Sequence, residues 1–181
     1  NRYSGGTDAV HVFNDLMVEN GTNVFGFTYV TGHGAGDAKA NITSSLFSTA
    51  SNAATQGILH GPFGGVSLMD FHAYSYLTVN TALNPNAQEI LKTSVSGDTG
   101  SLIAATTLGS GRVVAITDSA PADDGTTTTS GKNLQNSYSL NNNRSFWLNA
   151  TTWLAGTSAP MPTVSITAPA SNVTVAPGAS L

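Results

Sequence analysis

The sequence predicts an α/β protein, a sheet covered by helices. Three observations lead there. The run Val113-Val114-Ala115-Ile116 is apolar at every position, the pattern of a strand buried on both faces, as in a parallel sheet between helices. Residues 9–20 place Val10, Phe13 and Met17 on one helical face, flanked by Ala9, Val12 and Leu16. Residues 143–154 give a second helix, whose broad apolar face carries Phe146, Trp147, Ala150, Trp153 and Leu154.

The elements follow in order. Thr7 or Asp8 can cap the first helix, and Gly21 is placed to end it in the left-handed conformation. Residues 23–30 read as a strand, followed by a loop around His33 in Gly32-His33-Gly34-Ala35-Gly36. That loop lacks the spacing and the Lys-Ser/Thr of a phosphate cradle. Residues 38–54 are polar and give no clear period. Residues 56–65 hold Gly57, Gly61, Pro62, Gly64 and Gly65 and read as a loop. Residues 67–79 are aromatic and roughly alternating, which suits one or two strands. Asn84-Pro85-Asn86 is a turn, residues 89–95 a strand, and residues 96–100 another turn. Residues 101–108 and 112–117 form a hairpin across Gly109-Ser110-Gly111. Residues 126–142 are a long polar loop, of a length that is usually functional or mobile. Gly156 ends the last helix.

The composition then shifts. Residues 157–162 read as a linker, and 163–166 and 172–175 as two short strands around a Pro turn. Two strands cannot bury a core alone, so residues 163–181 read as the beginning of a β-sandwich. A parallel sheet normally begins with a strand. The opening on a loop and a helix therefore leads to the expectation of a further strand ahead of Asn1.

Of 181 residues, 40 % are hydrophobic, enough for a core. Charged residues are only 9 %, against roughly 25 % in typical soluble domains. An exterior of hydroxyls and amides suits an extracellular or cell-surface protein. Net charge is −4, and the six Lys and Arg are scattered, so no patch can release phosphate counterions and nucleic acid is not an expected partner. No apolar run approaches the ~20 residues of a membrane span. There is no Cys, which excludes thiolate nucleophiles, disulfides and thiolate metal sites.

The 112–117 strand runs into Asp118, Ser119, Asp123 and Asp124, just where an α/β sheet presents its chemistry. The three carboxylates could hold Ca²⁺, with Ser119 and loop carbonyls completing an oxygen shell. Alternatively Asp118 fixes the loop through backbone amides, Asp123 and Asp124 face water, and Gly125 makes the turn. Ser119 with His60 or His72 would be a nucleophile pair only if geometry brought them together, and no Gly-x-Ser-x-Gly elbow is present. Tyr74 and Tyr76, with Phe71 and His72, could form an aromatic surface for surface glycans, although alternation makes half of them core. Asn20, Asn41, Asn143, Asn149 and Asn172 head Asn-x-Ser/Thr triplets, and Asn149, inside a helix, is a poor glycan acceptor.

The segments HGPFGGV (60–66), LNPNAQEIL (83–91), GSGRVVAITDSAPADDG (109–125) and NRSFWLNATTWLAG (143–156) resemble the glutamine-amidotransferase-like domain of large secreted bacterial proteins. The resemblance implies a flavodoxin-like, class I amidotransferase-like fold over residues 1–156. The tail PTVSITAPASNVTVAPGASL resembles the opening of the Ig-like modules that follow catalytic domains in bacterial exoenzymes. An active amidotransferase needs a Cys nucleophile with a His and Glu pair. This chain has no Cys and carries Thr117, Asp118 and Ser119 where the pair would sit. The resemblance therefore implies a catalytically silent relative.

The expected function is a non-catalytic accessory module of a secreted or surface protein, packing against neighbouring domains and requiring no cofactor, with Ca²⁺ possible. The alternatives are part of an extracellular hydrolase whose catalytic groups lie elsewhere, and a carbohydrate-binding module.

Overall fold

The computed structural model describes residues 9–30, 42–72, 74–94, 99–126 and 135–156. In chain order the elements are α1 (Ala9–Leu16), β1 (Val18–Glu19), β2 (Thr22–Asn23), β3 (Phe27–Tyr29), β4 (Ile42–Ser44), α2 (Ala53–Leu59), β5 (Met69–Phe71), β6 (Leu77–Val79), β7 (Gln88–Lys92), β8 (Ser101–Leu108), β9 (Gly111–Ile116), a 3₁₀ turn (Ala120–Ala122) and α3 (Asn143–Leu154). The architecture is mixed α/β. A five-stranded sheet contains β3, β6, β8, β7 and β9, and two two-stranded sheets pair β1 with β2 and β4 with β5.

The expected parallel sheet is corrected: all the pairings among the described strands are antiparallel. The fully buried strand is also not the expected one. β8 is buried from Ser101 through Thr106, whereas β9 is mostly half-buried. The reason is position. β8 pairs with β7, β9 and the end of β6, while β9 pairs with β8 alone. The small residues Ala104 and Ala105 let both faces of β8 be approached closely.

Alternation along the β8–β9 ladder feeds two cores. Ala105, Val114 and Ile116 join Ile58, Leu59, Phe146, Ala150 and Trp153, so α2 and α3 cover one face. Ala104, Val113 and Ala115 join Met17, Phe27 and Leu77 on the other. There α1 approaches through Phe13, whose ring lies 5.5 Å from that of Tyr29. Helical segments thus lie on both faces.

Two more expectations are corrected. The first helix stops at Leu16, short of residue 20, and Gly21 does not cap it. Asn20 (φ 50°) and Gly21 (φ 78°) form the left-handed centre of a two-residue hairpin between β1 and β2. Asn-Gly favours that turn strongly, and it wins over continued helix. Residues 56–59, expected as loop, are helical. Asn52 caps α2 by accepting the Thr55 amide at 2.9 Å. Gly57 is there for space: a Cβ would lie 2.7 Å from Trp153 Cδ1. Gly57→Ala would gain about 1 kcal/mol of helix propensity. It must also displace a buried indole, at roughly 1–3 kcal/mol of overpacking. We expect a net loss of about 1 kcal/mol, read as a lower thermal midpoint together with altered Trp emission.

The β8–β9 hairpin forms as expected, with Leu108 opposite Gly111 and Gly109 at φ 57°. α3 spans the expected residues and Gly156 (φ 73°) follows its end. The His33 loop, the linker and the two tail strands at 163–166 and 172–175 lie outside the described residues. Among the described residues no helix is long and apolar enough to cross a membrane.

Candidate functional site

The chain leaves β9 at Ile116 and enters the acidic loop. Pro121 sets the 3₁₀ turn, which tucks Ala120 and Pro121 into the interior. Asp118 is thereby brought under β5. Its Oδ2 accepts the His72 amide at 2.7 Å and its Oδ1 accepts the Ala120 amide at 3.0 Å. Both oxygens are committed to backbone N–H groups. Burial raises the Asp118 pKa above the ordinary aspartate value, and the Ala120 and His72 amides oppose that shift.

Asp123 holds the loop through its main chain: its amide donates to Ala120 O at 2.9 Å and its carbonyl accepts from Tyr138 N at 2.9 Å. Asp124 is exposed. Its Oδ1 accepts the Thr126 amide at 3.0 Å, and that bond holds its carboxyl below the ordinary range. Gly125 adopts φ 81°, and its amide donates to Gln135 O at 3.1 Å. The 135–138 segment therefore lines the acidic loop, while residues 127–134 lie outside the described residues. Among the described residues no three His, Asp or Glu side chains converge to hold a metal ion.

The remaining expected site residues are dispersed. His72 meets Asp118 through its main-chain amide. His60 is exposed at the end of α2 and Ser119 is exposed at the start of the 3₁₀ turn. Neither side chain bonds a described residue. Tyr74 is half-buried against the α2–α3 core. Tyr76 is half-buried with its ring over Gly100, where a Cβ would meet Cδ2 at 2.1 Å.

Sequence reasoning missed the asparagines that assemble this region. Asn142 Oδ1 accepts the Ser67 and Leu68 amides at 3.0 and 3.1 Å. Asn143, fully buried, accepts the Asp70 amide at 3.1 Å and donates to Asp70 O and Ser137 O at 3.1 and 2.9 Å. Asn149, also fully buried, accepts the Phe63 amide at 2.9 Å and donates to Ile58 O and Gly64 O at 3.2 and 2.9 Å. α3 and its N-cap thus pin residues 58–70, which include most of β5, just ahead of His72. These bonds also remove Asn143 and Asn149 as glycan acceptors in the folded chain. A signal existed: both asparagines share the helical stripe of Phe146, Ala150 and Trp153.

Tyr29 links the opposite face to the same strand end, donating its hydroxyl to Ile116 O at 3.0 Å. Burial pushes its pKa from 10.0 up to about 12. Because the folded value is the higher one, the stability it contributes is complete below pH 10.0 and lost as pH rises through about 12. The thermal midpoint should therefore fall more steeply across that window in the native chain than in Tyr29→Phe.

Comparison with protein-family models found none that matches, and searches against curated proteins and solved structures gave no match either.

Proposed function

We propose that the chain is a non-catalytic accessory module of an extracellular or bacterial cell-surface protein, packing against a neighbouring domain of the same polypeptide. The observation that carries this reading is the state of Asp118. A carboxylate whose two oxygens each accept a backbone amide from a different segment acts as a loop fastener. The side chains of Ser119 and His60, exposed and bonded to no described residue, favour the same reading over a hydrolytic one.

The packing surface in this reading is α1 with β1. Val12, Phe13, Leu16 and Val18 are all exposed, Leu16 at 70 %. Four large apolar side chains exposed on one short stretch are of the kind that marks a contact surface. In the parent polypeptide, Leu16→Asp should open this contact and create new protease sensitivity at α1. In the isolated chain the same substitution should leave the thermal midpoint unchanged, because the side chain is already in water. A drop in the isolated chain, or no new cleavage in the parent, would overturn the packing role.

Kinship with the glutamine-amidotransferase-like domains, and with it a flavodoxin-like fold, belongs to this proposal. Its support is local: β9, the Asp118 loop and α3 are formed by two of the segments that carry the resemblance. The Ig-like beginning at residues 163–181 is part of the same proposal.

A further inference from the structure

Two neighbouring depressions at the turn end of the β8–β9 hairpin, of about 280 and 190 Å³, share Asn86 and Thr107. The smaller one is closed by Gln88, Arg112 and Trp153, with Asn52 behind Gln88. One of its polar groups is held in place by a neighbour. Asn52 donates to Gln88 Oε1 at 3.1 Å, which orients that amide and leaves its N–H₂ without a partner among the described residues. Thr107 O accepts from Asn84 Nδ2 at 3.1 Å, but the Thr107 hydroxyl and the Asn86 side chain bond no described residue.

Arg112 lines the smaller depression. Its guanidinium carbon lies 5.4 Å from the Trp153 ring centroid, and Nη1 donates to Trp153 O at 2.5 Å. The buried indole fixes the cation in one orientation. Most of its five N–H donors still lack an acceptor among the described residues. The chain has ten Asp and Glu against six Lys and Arg, yet no acid pairs with Arg112 among the described residues, and no acid lines the cleft. A preoriented guanidinium edge matches a carboxylate in bidentate geometry. Amides and a hydroxyl beside it match an array of hydroxyl groups, since they both donate and accept. Each depression is smaller than the roughly 300 Å³ where sites for drug-sized ligands begin, which suits one ring per depression.

We propose that this groove binds a short acidic saccharide, with one sugar carboxylate on Arg112 and hydroxyls on Gln88, Asn86 and Thr107. The site is separate from the acidic loop and from the α1 face, so it can fail without affecting the packing role. The test is calorimetric titration of the full chain with a galacturonate trisaccharide, its methyl ester and sodium acetate. The free acid is expected to bind at least tenfold more tightly than the ester, and acetate to compete only weakly. Arg112→Gln should remove that preference and Gln88→Ala should weaken binding severalfold, with the Trp153 indole N–H resonance moving only when the acid binds. Equal binding of acid and ester, full displacement by acetate, or no binding by the folded native chain would each overturn the proposal. The ester comparison uses native protein, so it stands even where a variant folds poorly.

Discussion

Asn149→Ala is expected to lower stability by about 3 kcal/mol, the sum of three backbone groups each losing a bond worth about 1 kcal/mol. The groups are Phe63 N, Ile58 O and Gly64 O. All belong to the end of α2 and the turn after it, so they cannot find substitutes without unwinding that turn. Gly61 leaves room for the amide: a Cβ there would lie 2.6 Å from Asn149 Oδ1. At this chain length the loss corresponds to a fall of roughly 10 °C in the thermal midpoint. Asn149→Asp should fare no better. It keeps an acceptor for Phe63, but loses both donated bonds and buries a charge. A midpoint within a degree or two of native in either variant would mean that the α3 asparagines do not hold the 58–70 segment.

Asp118→Ala is expected to cost about 2 kcal/mol. Two hydrogen bonds to a charged group contribute roughly 1.5–3 kcal/mol each, and the burial that raises the carboxyl pKa offsets part of this. Asp118→Asn should fall between native and Ala: one amide keeps its acceptor, while the new N–H₂ opposes the other. The two variants also carry a pH signature. A raised folded pKa means that the Asp118 contribution is greatest below the ordinary aspartate value and declines as pH rises through the folded one. The deficit of Asp118→Asn should therefore be largest in acid and shrink toward neutrality, as followed by thermal melts at successive pH values. A deficit that grows with pH would indicate that the ionised carboxylate has a stabilising partner beyond the two amides.

Much of the scaffold was legible in the residues, and the losses have identifiable causes. α3 was readable because its apolar stripe is strong and Gly156 stops it. The β8–β9 hairpin was readable from two apolar runs around Gly109-Ser110. Strand polarity was not, because an apolar run such as Val113–Ile116 reports burial and not the direction of its neighbour. Gly57 was misread because a glycine chosen for the space it leaves Trp153 looks the same as one chosen for its backbone angles. The loop after β9 was legible as a loop, but the partners of Asp118 in it, His72 N and Ala120 N, were not, because the segment carrying His72 is distant in sequence. The role proposed for Arg112 was not legible, because it rests on Arg112 meeting no acid among the described residues, which no single-residue pattern records.

Whether the acidic loop fastens the fold or binds a cation is decided most directly by following the His72 and Ala120 backbone amides by NMR during a Ca²⁺ titration. If Asp118 is the fastener described above, both resonances stay in place up to millimolar Ca²⁺ and both amides remain protected from exchange. A saturable shift of the two together would show the carboxylate turning to a metal, and would contradict the account.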